Sequence, residues 1–101
     1  MKEQLQEIQN SINNLFEYNL ETYKKYRTHV ESALGFIKSI PDSNNTTLKS
    51  WKDLAMDELQ KELSGRLSDT FVHLTPEEQK SELKFSKMAV SVVLMNIIMH
   101  L

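Results

Sequence analysis

The residues able to do chemistry in this 101-residue chain are few and scattered. The three histidines are His29, His73 and His100, and no two share a helical turn. Helical bundles that hold metals usually carry Glu-x-x-His pairs on facing helices, and none occurs here. Asp69 and His73 stand four apart and can share a helix face. One such pair reads as a hydrogen bond or a solvated pair before it reads as a ligand set. Asp57-Glu58 and Glu77-Glu78 are sequence neighbours, so they project differently from a helix. Their plain role is on a solvated face or at a helix N-terminus. There is no cysteine, which removes thiol catalysis, disulfides and Cys-based zinc sites together. No Gly-rich phosphate loop, Gly-x-Ser-x-Gly elbow or His-Glu-x-x-His segment is present. The sequence thus predicts no enzyme, no metal and no cofactor, and points to binding.

Three stretches could carry binding. Tyr23-Lys24-Lys25-Tyr26-Arg27 mixes bases with aromatics, a composition suited to phosphates and stacked bases. Lys24, Lys25 and Arg27 are the candidate contacts to an anionic partner. Against nucleic acid, Glu21 and Glu31 flank them, both tyrosines fall on an apolar stripe, and net charge is −2. Trp51 is the only tryptophan; core packing is its default role, and exposure would make it a candidate hot spot. The third stretch is the C-terminal segment from Met88 to Leu101, apolar except for Ser91, Asn96 and His100.

Long helices must position these groups. Two glycines and two prolines in the whole chain mean few, long elements. From Leu5 through Ile8, Ile12, Leu15, Phe16, Leu20, Tyr23, Tyr26, Val30, Leu34 and Ile37 the apolar steps are mostly three and four. That stripe predicts one helix over about 2–39, stopped by Pro41. The polar stretch Pro41 to Thr46 reads as a loop, with Thr47 as the cap of a second helix. The stripe Trp51, Ala55, Leu59, Leu63, Leu67, Phe71 and Leu74 extends that helix to about 73, although Ser64-Gly65 and Ser68-Asp69 could split it. Thr75-Pro76-Glu77-Glu78 is a capping box with proline at the first helical position. It predicts a third helix over about 76–100. Val90, Val92, Val93, Ile97 and Ile98 favour strand by propensity, but no other segment could pair with a strand here.

The expectation is a single all-α domain over 1–101: a long antiparallel helical hairpin plus a third, mostly buried C-terminal helix. The 14 residues from Met88 cover about 21 Å, too short for a hydrocarbon core of about 30 Å. The segment is therefore not read as transmembrane. A helix apolar all round must be covered all round, and two partner helices cover only part of it. This predicts a homodimeric helical bundle or another protein partner, with Met88, Val92, Val93, Met95, Ile97, Ile98 and Leu101 at the interface. The leading function is a non-enzymatic protein-docking module, such as a small inhibitor, adaptor or chaperone. An amphipathic lipid- or granule-surface protein, and a nucleic-acid regulator working through 23–27, are the alternatives. The polar start, Met1-Lys2-Glu3-Gln4, lacks a secretory apolar core and predicts a cytoplasmic protein.

Overall fold

The computed structural model describes residues 2–15, 17–41 and 44–101. Phe16, counted in the first stripe, and Asp42-Ser43 of the first loop lie outside the described residues. Four helices pack together: α1 (Lys2–Asn13), α2 (Leu20–Lys38), α3 (Thr46–Ser64) and α4 (Pro76–Met99). A 3-10 turn at Asp69–His73 lies between α3 and α4. The described residues form no strand. Each helix packs on the next in the chain, and α1 also packs on α4. Helix α4 therefore has α1 on one flank and α3 on the other.

The predicted first helix is two helices. A straight helix over 2–39 would be roughly 57 Å long, whereas the longest dimension of the molecule is 46 Å. The break follows Asn13-Asn14, two poor helix formers. It is sealed by a reciprocal cap: the Asn19 carboxamide accepts from the Thr22 backbone N–H, and the Asn19 N–H donates to the Thr22 hydroxyl. Breaking there lets α1 run along α4 and bury Leu5, Ile8 and Ile12. The Lys87 ammonium holds the turn by donating to the carbonyls of Asn13 and Leu15.

The predicted second helix also ends early, at Ser64. It begins one residue before its predicted cap, with Asn45 rather than Thr47 as the capping side chain. At its C-terminal end a Cβ on Gly65 would lie 2.9 Å from the Lys61 carbonyl oxygen, so the turn requires glycine. The chain then swings Leu67 and Phe71 into the core, where both are fully buried. The carbonyls of Leu67 and Ser68 accept from the Tyr23 hydroxyl at 2.7 and 3.1 Å, the second also accepting from the Phe71 N–H. The Tyr23 ring stacks on Phe71, with centroids 4.0 Å apart.

Helix α4 starts as its sequence predicts. Thr75 and Glu78 form the capping box and Pro76 takes the first position. Accepting the Thr75 N–H holds the Glu78 carboxyl below its ordinary range. Inside the bundle, the Tyr26 hydroxyl and the Ser86 hydroxyl share a 2.8 Å hydrogen bond linking α2 to α4. Burial pushes the Tyr26 phenol well above its ordinary pKa, so it stays neutral.

Candidate protein-docking surface

Helix α4 has two apolar faces. The inner one carries Leu83, Val90, Val93, Leu94, Ile97 and Ile98, all buried within the chain. The outer one carries Phe85, Met88, Val92, Met95 and Met99, which remain 48–71 % exposed. Their steps are three, four, three and four, so they form one unbroken line down the helix. Large isolated apolar residues on a surface need no explanation, but a contiguous line of five does.

The polar residues of α4 do not interrupt this line. Ser91 turns towards α1, where its hydroxyl meets the Asn13 carboxamide at 3.2 Å and its carbonyl accepts from Gln9 at 3.4 Å. The Asn96 side chain folds back on the Val92 carbonyl at 2.9 Å. Charged groups border the line at its N-terminal end. The Arg66 guanidinium lies 5.9 Å from the centroid of Phe85. It is fixed there by Glu62 of α3, at 2.9 and 3.1 Å, and by Glu82 of α4, at 3.1 Å. Lys84 and Lys87 stand 5.6 and 5.9 Å from the Tyr18 ring centroid. At the other end His100 stacks on Trp51 with centroids 6.2 Å apart, and Leu101 is exposed.

The interface set expected from sequence is thus divided. Met88, Val92, Met95 and Leu101 face outward, while Val93, Ile97 and Ile98 face the chain's own core. Helix α4 is also less covered than expected, because its three-sided packing leaves the outer line open. Phe85 and Met99 complete that line and were missed. The three–four step from Met88 backward and from Met95 forward reaches both of them.

The basic–aromatic stretch folds differently from a base-stacking site. Tyr23 and Tyr26 are buried, with their rings in the core. Arg27 pairs with Glu31 at 3.0 Å and with Asp69 at 3.5 Å, and Lys25 sits 3.8 Å from Glu21. Lys24 is exposed. Trp51 is half-buried against the core beneath His100. Asp69 therefore meets a guanidinium rather than being held for a metal. Among the described residues no group of three His, Asp or Glu side chains is placed to hold a metal ion. Among them, too, no helix is long and apolar enough to cross a membrane.

No family model, curated protein or solved structure matches the chain. Its function has to be read from its own surface, and α4 carries the feature that packing within the chain does not account for.

Proposed function

We propose that this protein is a non-enzymatic interaction module, an inhibitor, adaptor or chaperone in kind, that docks on a protein partner through the outer face of α4. The observation that carries this reading is the continuous exposed line Phe85, Met88, Val92, Met95 and Met99. Covering an apolar side chain of this size is worth about 1.5–3 kcal/mol before the costs of association. Three of the five are methionines, whose flexible, polarisable side chains adapt to a partner's contour. The rest of the helix is anchored in the bundle, which presents the line without loss of backbone freedom on binding.

The test is affinity capture from the native cell with wild type and Met95→Lys side by side. The reading expects a protein retained by wild type and depleted about tenfold or more with the variant, since a tenfold loss needs only about 1.4 kcal/mol. Identical retention by both would overturn it. A lipid or granule surface is the competing occupant of the same face. Co-sedimentation of wild type with anionic phospholipid vesicles, abolished by Met95→Lys, would move the function there.

A further inference from the structure

We infer that the outer face of α4 pairs with the same face of a second copy of this chain, the two helices running antiparallel. This rests on reading that face as a protein-docking surface and names its occupant.

Three observations support self-pairing. The first is spacing. Alternating steps of three and four over Phe85, Met88, Val92, Met95 and Met99 give the a/d seam of a coiled coil, the pattern a helix uses to meet another helix. Of its flanking positions, Ala89 and Ser91 are small and allow close approach. The second is area. The five residues and Leu101 leave about 600 Å² open, so complete mutual coverage would bury at most roughly 1,200 Å², the low end for a specific interface.

The third is charge, and it sets direction. Lys84 and Lys87 lie at the N-terminal end of the line, where Arg66 is already paired with Glu62 and Glu82. Parallel pairing would bring these cations against their own copies. Antiparallel pairing sets them beside the C-terminal end of the opposite α4, whose carbonyls carry partial negative charge. A shallow depression lined by Asn13, Tyr18, Lys84, Lys87, Met88 and Ser91 lies where that end would arrive. Two registers satisfy a-to-d layering across a two-fold axis, and seating the C-terminal end on that depression selects one. Met88 meets the partner's Met99, and Val92 meets the partner's Met95.

The cysteine-free chain makes the test direct. Met88→Cys and Met99→Cys are prepared separately, then oxidised alone and as a mixture. The mixture is expected to form the mixed disulfide efficiently. Met88→Cys alone is expected to cross-link poorly, because its two copies would sit roughly 16 Å apart along the helices, against a Cα separation of about 4.4–6.8 Å in disulfides. Light scattering of wild type should give twice the chain mass, and Val92→Lys or Met95→Lys the single mass with unchanged helical content. Ready cross-linking of Met88→Cys to itself would overturn this antiparallel register. A wild-type monomer up to about 0.5 mM, where even a weak specific interface is populated, would overturn self-pairing altogether. In that event, capture that still depends on Met95 would leave the docking reading standing, while capture indifferent to Met95 would remove both.

Discussion

Helices α2 and α4 enter the same core and leave different surfaces behind. In α2 the large inward residues Tyr23, Tyr26, Val30, Leu34 and Ile37 account for most of its apolar content. Its outside is Glu21, Lys24, Lys25, Glu31 and Lys38, with i,i+4 pairs that keep it solvated. Helix α4 fills its inward positions equally well and then repeats the apolar pattern on the outside. What an α2-type helix reveals is how the chain folds. What α4 reveals is an apolar surface that folding of one chain leaves uncovered. The side chains differ too: leucine and β-branched residues line the inner face of α4, while methionine dominates the outer one. Shape-defined residues suit a fixed jigsaw, and methionine suits a surface met by another molecule.

The sharpest way to break this contrast is to truncate one residue on each face. Ile97→Ala should lower unfolding free energy by about 2–5 kcal/mol through the cavity it leaves. Met95→Ala, measured in dilute solution where association does not contribute, should stay within about 0.5 kcal/mol. Equal costs in urea unfolding would mean that the two faces are not distinct. A smaller effect tests the polar tie between α2 and α4. Tyr26→Phe leaves the Ser86 hydroxyl buried without its partner, and should cost about 1–2 kcal/mol in the same assay. A cost near zero would make that bond irrelevant to how α4 is oriented. The smallest effects lie at the start of α4. Thr75→Ala should cost about 1 kcal/mol through loss of the cap. The Glu78 carboxyl is held below its ordinary range in the folded chain, so its contribution is complete above the unfolded carboxylate pKa. It is lost as pH falls through the depressed folded value. Glu78→Gln should therefore flatten part of the acid limb of stability against pH; an unchanged limb would show that the cap does not titrate.

Much of this fold is legible in the residues themselves. Thr75-Pro76-Glu77-Glu78 states where α4 begins, and the structure has that cap. Four ion pairs that i,i+4 spacing allows, Glu21–Lys25, Arg27–Glu31, Asp57–Lys61 and Glu62–Arg66, are all formed. The breaks are harder to read because an apolar stripe reports which residues go inside, not whether the chain stays straight. In sequence, Ile12, Phe16, Leu20 and Tyr23 keep helical spacing across a turn that reorients the chain. The countersignal is Asn13-Asn14 followed by Asn19-x-x-Thr22, a stop and a reciprocal cap of polar residues. Ser64-Gly65 is the matching signal at the end of α3, where Leu67 and Phe71 keep the stripe but reach the core from a 3-10 turn.

The candidate surface was legible as a segment but not as a face. In a helix apolar all round, both Val90–Val93–Ile97 and Met88–Val92–Met95 satisfy helical spacing. Only the positions of α1 and α3 decide which of them is covered. The stretch 23–27 shows the converse. Its composition suggested an exterior site, and the hydrogen bonds of Tyr23 and Tyr26 hold both rings inside.

The docking of α1 against α4 carries a consequence for how the molecule comes into being. The first twelve residues after Met1 make a helix too short to persist alone in water. Their contacts at Gln9 and Asn13 are with Ser91 and Lys87, more than seventy positions downstream. Until α4 has been made, the end of α1 lacks the polar partners that tie it in place. Closing that long circuit costs loop entropy, so this contact is expected to form slowly relative to those between neighbouring helices.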